Sequence, residues 1–191
     1  KRMNLFRDIF SKNIIFIVFF LFLSFPIYIR YGVSFTTVEY TILTLIMLWL
    51  SSIDIKTMKI PDIVNAVGFI AAVIIMIIKA LIYNGSITSH ILGLLVGGGF
   101  FLIIALLTKG AMGGGDIKLM AVLGLWMGFE NIILIIILSF FISAVISVFL
   151  LASKKKKKED HIPFGPFIAV AVYLTILYGS EIWRFIYIIK N

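Results

Sequence analysis

The sequence predicts an all-α, polytopic membrane protein of about six to seven transmembrane helices. Two observations predict it. Hydrophobic residues make up 62% of the chain and the mean hydropathy is +1.16, more apolar surface than a water-facing fold has reason to carry. Several stretches are also apolar on every face over about 18 residues or more, with none of the in/out alternation a membrane barrel needs. In lipid a segment must satisfy its own backbone hydrogen bonds, so these stretches are expected to be helices.

Taken in order, the candidate spans are Asn13–Ile29, Thr37–Ile53, Ile63–Tyr83, Ile91–Thr108, Ile117–Phe129, Ile132–Ala152 and Phe164–Tyr178. Ser24-Phe25-Pro26-Ile27-Tyr28 lacks a small-residue cleavage pattern, so the first is expected to remain rather than be removed as a leader. The third follows Pro61 and Asp62, a proline and an acid that together mark a helix start. The fourth carries Gly93, Gly97, Gly98 and Gly99, a spacing that lets a neighbouring helix approach closely. The fifth is short for a full crossing. No polar stretch is long enough for a soluble domain, and residues 1–191 read as a single transmembrane domain.

The net charge of +8 invites a nucleic-acid reading in a soluble protein, but here basic residues mark loops on one side of a membrane. If the N-terminus is inside, all but four of the 17 basic residues fall on the inner side, including the run Lys154 to Lys158. The exceptions are Arg30, Lys79, Arg184 and Lys190. The expected partner of the surface is therefore the lipid bilayer, in a multi-pass cytoplasmic membrane protein with its N-terminus inside, and no nucleic acid. The chain has no cysteine, which excludes disulfides and Cys-ligated zinc or iron–sulfur centres.

Only nine acidic residues need weighing. Asp8, Glu159 and Asp160 fall in basic, solvated segments; Glu39, Glu130 and Glu181 fall near the outer ends of spans. Asp54, Asp62 and Asp116 are left at inner helix ends, where a carboxylate is costly to desolvate and is a functional candidate by default. Each also has a plain structural reading: Asp54 as an interfacial charge beside Lys56 and Lys59, Asp62 as a first-turn acid, Asp116 as an N-cap. The pair Asp54 and Asp116 is more informative than either alone. Two carboxyls held together share a proton, so one can accept a proton from water while the other polarises a peptide carbonyl. Such chemistry needs no metal, cofactor, cysteine or serine triad, and none is expected. The two histidines are set apart from the pair: His90 at the outer face and His161 in an inner loop.

These residues match a known family. Asp54-Ile-Lys-Thr-Met-Lys-Ile-Pro61-Asp62 resembles the first aspartate motif of type IV prepilin peptidases. Gly113-Gly114-Gly115-Asp116-Ile117-Lys118-Leu119 resembles their second, the GxGD motif followed by a lysine. Pro163-Phe164-Gly165-Pro166-Phe167 is similar to a third segment nearer the C-terminus, and the resemblance covers roughly 37–178. It implies a membrane aspartic endopeptidase that removes the leader of type IV prepilin-like precursors (pilin, pseudopilin or preflagellin) at the cytoplasmic face. By that resemblance Asp54 and Asp116 are the catalytic pair. A backbone without Cβ atoms admits a bound strand, so in a peptidase Gly113, Gly114 and Gly115 are expected to present backbone to the substrate, and Asp62 and Lys118 to orient the site or the leader. Without cysteines the chain resembles the short form that lacks the N-terminal CxxC domain, so N-methyltransferase activity is not expected of it. Two other readings compete. A presenilin-like intramembrane GxGD protease pairs its motif with Tyr-Asp and Pro-Ala-Leu segments, both missing from this sequence. A small transporter or assembly subunit places ionisable groups near the bilayer midplane, where these spans carry no acids.

Overall fold

The structure, a computed structural model, describes residues 2–108, 112–153 and 162–190, with side chains from 16 to 189. Lys154 to Lys158, Glu159, Asp160, His161 and Lys109 lie outside the described residues, as do the side chains of Arg7, Asp8 and Lys12. Seven helices make up the described fold: α1 (Arg2–Tyr31), α2 (Phe35–Thr57), α3 (Asp62–Ile82), α4 (Ile87–Leu107), α5 (Gly114–Met127), α6 (Phe129–Ala152) and α7 (Gly165–Lys190). Among the described residues there is no strand. Five helices, α2, α3, α4, α6 and α7, are long and apolar enough to cross a membrane; in α1 the described apolar stretch, Phe16–Tyr31, is shorter. The outer surface carries large apolar side chains such as Phe22, Leu81 and Leu107. Exposed apolar surface on this scale belongs to a bundle solvated by lipid, and the protein is a multi-pass membrane protein.

The short helix α5 is the hub. Its 14 residues span about 21 Å, less than the ~30 Å hydrocarbon core. Beyond Asp116 and Lys118 near its start it is apolar all round, and it buries Leu119, Met120, Val122, Leu123, Leu125, Trp126 and Met127. A helix without a polar face belongs in the middle of a bundle. The glycines of α4 bring it close: His90, Gly93, Gly97 and Phe101 form the buried stripe of α4. A Cβ on Gly93 would run into the backbone of Gly124, and one on Gly97 into the carbonyl of Met120. The close packing expected of the α4 glycines is thus present at Gly93, Gly97 and Gly98, against α5, whereas Gly99 has open space around it. At Gly128, φ is +81°, a value side chains rarely adopt, and the chain turns there directly from α5 into α6.

The helices run a few residues beyond several of the expected spans, as where α4 starts at Ile87 and α5 at Gly114, and three differences bear on the site and its frame. α2 continues past Ile53 to Thr57, so Asp54 lies within its last turns. Pro61 is the N-cap of α3 rather than its first helical residue. α7 continues through Gly179 to Lys190, and beyond that glycine Glu181 pairs with Arg30 of α1 at 2.6 Å. At the same end of the bundle Glu39 is buried and pairs with Lys79 at 2.7 Å, tying α2 to α3.

Candidate active site

Asp54 sits at the end of the buried stripe of α2, after Glu39, Leu43, Met47 and Leu50. The spacing that buries those residues also turns Asp54 inward, and it is only 4% exposed. A buried carboxylate needs donors. Asp54 receives one from the other end of the sequence: the backbone N–H of Gly165 donates to Oδ2 at 2.8 Å. Residue 165 has to be glycine, because a Cβ there would stand 2.7 Å from that same oxygen and 3.2 Å from the Asp54 Cβ. Next to it the Phe164 ring packs against Phe101 and Phe140, with centroids 6.0 and 5.6 Å away, which pins the segment that supplies the amide.

Asp116 lies in the first turn of α5, whose N-cap is Gly113. The capping position therefore belongs to a glycine and the carboxyl of Asp116 is left facing the cleft. Its backbone N–H donates to the Gly113 carbonyl at 3.1 Å. Gly113 keeps space for it, since a Cβ there would lie 2.9 Å from Asp116 Oδ2. Gly115 packs on the loop between α2 and α3, where a Cβ would lie 2.9 Å from the Cβ of Ile60. From α3 the Asn65 amide donates to the Gly115 carbonyl at 3.2 Å.

Both aspartates line one cleft of about 400 Å³, together with Met58, Met112, Gly113, Ile162, Pro163 and Phe164. Asp116 precedes the apolar stretch of α5; burial and then the negative charge of Asp54 push its carboxyl up to about 6, against the opposing effect of the Gly113 backbone. Two acids from separate helices thus share a pocket in which one tends to keep its proton.

The other residues singled out in the sequence are placed differently. Of the three glycines, Gly113 lines the cleft, Gly114 has open space around it and Gly115 faces Ile60. Asp62 and Lys118 pair with each other at 2.7 Å, both exposed, over a separate groove lined by Asn65, Phe69, Leu94 and Val122. His90 is buried at the far end of α5, its Nδ1 2.7 Å from the Leu125 carbonyl. The sequence reading attached no role to Gly165, Asn65 or Met58. A glycine between two prolines and a lone amide in an apolar helix were the signals available for the first two.

Residues 41–148, which hold both aspartates, match the model of the type IV leader peptidase family. The chain belongs to that family. Its relatives include the prepilin leader peptidase/N-methyltransferase of Bacillus subtilis (strain 168), 30% identical over 159 residues, which cover 82% of this chain and 62% of the relative. The protein of the same name from Pseudomonas putida is 31% identical over 156 residues, covering 81% of this chain and 54% of the relative. That from Aeromonas hydrophila is 27% identical over 150 residues, covering 78% and 52%. This leader-peptidase family member spans about half the length of the curated relatives it matches. No solved structure matches it. Gly165, which holds Asp54, lies beyond the residues matched to the family model.

Proposed function

We propose that this chain is a membrane aspartic endopeptidase that removes the leader of type IV prepilin-like precursors at the cytoplasmic membrane face. The observation that carries the proposal is the cleft lined by both Asp54 and Asp116. The names of its relatives support the substrate class, and the proposal is confined to the peptidase half of those names.

In the proposed reaction the two carboxyls hold one proton between them and a water. The ionised carboxyl takes a proton from the water as its oxygen attacks the scissile carbonyl carbon. The protonated carboxyl donates to the carbonyl oxygen, which becomes the hydroxyl of a tetrahedral intermediate. The C–N bond then breaks, the leaving nitrogen takes a proton, and the cleft returns to one shared proton. Because the pair titrates as a unit, acid and base roles belong to the pair. In this reading Gly113, at the cleft, and Gly114, with open space around it, present backbone to the extended strand, Gly115 is held against Ile60 and Asn65 instead, and Asp62 and Lys118 meet the charged leader outside the cleft. The cytoplasmic placement is supported by the basic residues at the cleft end, among them Lys56, Lys59 and Lys118.

Co-expression with a type IV prepilin-like precursor, read by mass for leader removal, tests the proposal. Asp54→Asn and Asp116→Asn are each expected to abolish cleavage while the protein stays in the membrane. Cleavage at the parent level by either variant overturns it.

A further inference from the structure

Asn65 has no part in the steps above, yet it is 5% exposed on an otherwise apolar helix face, with Val64, Gly68, Ala72 and Ile75. A buried amide in such a place is costly unless it is bonded. Its Nδ2 donates to the Gly115 carbonyl at 3.2 Å, while its Oδ1 is buried without a partner. The orientation follows from the acceptor: the turned amide would set one oxygen against another. All the bonding of this side chain is therefore directed at the peptide that joins Gly115 to Asp116.

That peptide is held on both sides. Its N–H, from Asp116, donates to the Gly113 carbonyl at 3.1 Å. Its carbonyl is held by Asn65 from α3. Gly115 itself rests on Ile60, two residues beyond Met58, whose N–H closes α2 on the Asp54 carbonyl at 2.8 Å. A short chain of contacts thus runs from the Asp54 end of α2, through Ile60 and Asn65, to the backbone that carries Asp116.

We infer that Asn65 is a positioning residue, which sets the separation of the two carboxyls by anchoring the Gly115–Asp116 peptide to α3. The inference rests on the peptidase reading proposed above. Asn65 borders the groove beneath Asp62 and Lys118 rather than the cleft, but its one side-chain hydrogen bond among the described residues goes to the Gly115 carbonyl, so its loss acts first on the geometry of the pair. A residue that merely joins α3 to α5 would change stability and leave the titration of the pair as it was.

The test uses the full chain, purified in detergent, with a prepilin-like precursor, and counts turnover per folded molecule. Asn65→Leu keeps the volume and removes the donor; Asn65→Ala removes it without demanding space; Asn65→Gln keeps an amide. The Leu and Ala variants are expected to lose about 10- to 100-fold in kcat with KM nearly unchanged. The alkaline limb of their pH–rate profile should shift, and Gln should recover part of the loss. Where the Leu variant fails to accumulate, Ala carries the same comparison. Unchanged kcat with an unchanged limb overturns the inference, as does a loss fully explained by unfolded protein. Asp54→Asn and Asp116→Asn run alongside: if they are inactive and Asn65→Leu behaves as the parent, only this inference falls. If either aspartate variant still cleaves, the peptidase reading falls first.

Discussion

Among the described residues Asp54 has one donor, the backbone amide of Gly165, which approaches because no Cβ intervenes. Gly165→Ala is expected to push the segment off the carboxylate and lower leader cleavage by about 100-fold, the scale of a 1 Å misplacement in a reacting pair. A precursor-processing assay on membrane-inserted protein checks it. Asp116 gives a prediction with a sign. Its carboxyl, pushed up to about 6, is protonated below that pH and ionised above it, whereas in the unfolded chain it ionises near the ordinary aspartate value. The stability this group contributes is therefore present at low pH and lost as pH rises through about 6. Asp116→Asn should be more thermostable than the parent at pH 8, on the order of 1 kcal/mol, and close to it only near pH 4, about the ordinary aspartate value. Midpoints in detergent at the two pH values decide it. Cleavage by the parent should fall as pH is raised beyond the point where both carboxyls ionise. The two aspartates were legible in the sequence because each stands at a helix end in a recognisable motif. The partner of Asp54 was not, because it is a backbone group 111 residues away and no local pattern encodes that contact.

At the scale of elements, what was legible was the apolar run. What was not was where each helix stops. Backbone hydrogen bonding continues past a polar side chain wherever packing favours it, so α2 runs through Asp54 and α7 through Gly179. The seam between α4 and α5 is the strictest element contact, since backbone meets backbone at Gly93 and Gly124. Gly93→Ala and Gly124→Ala are each expected to cost about 1–3 kcal/mol through overpacking, read as lower thermal midpoints in detergent. The link between α2 and α3 behaves differently. The Glu39 side chain is fully enclosed while that of Lys79 is 23% exposed. Removing the lysine strands a buried carboxylate; removing the acid leaves an ammonium that can reach water. Lys79→Met should therefore destabilise more, by up to about 3–5 kcal/mol, than Glu39→Gln, and the double variant should regain part of the loss. Equal costs for the two single variants would contradict this.

For the whole molecule, the composition disclosed the membrane, and the apolar runs disclosed about how many helices cross or enter it. It did not disclose that the short α5 is the hub, because burial among other helices and burial in lipid select the same apolar residues. Orientation is the remaining global property, and it rests on loop charge. The absence of cysteine from the sequence makes it directly testable, since any introduced thiol is the sole target of a membrane-impermeant reagent. Val33, in the turn between α1 and α2, is 94% exposed and lies at the end of the bundle away from the aspartates. Lys59, exposed in the turn between α2 and α3, lies at the cleft end. In intact cells Val33→Cys is expected to be labelled and Lys59→Cys to be silent until the membrane is permeabilised. The opposite pattern would place the carboxyl pair on the outer face and end the proposal of cytoplasmic cleavage, even with both aspartates still essential. Parent-level leader removal by both thiol variants ensures that the labelled molecules are the working ones.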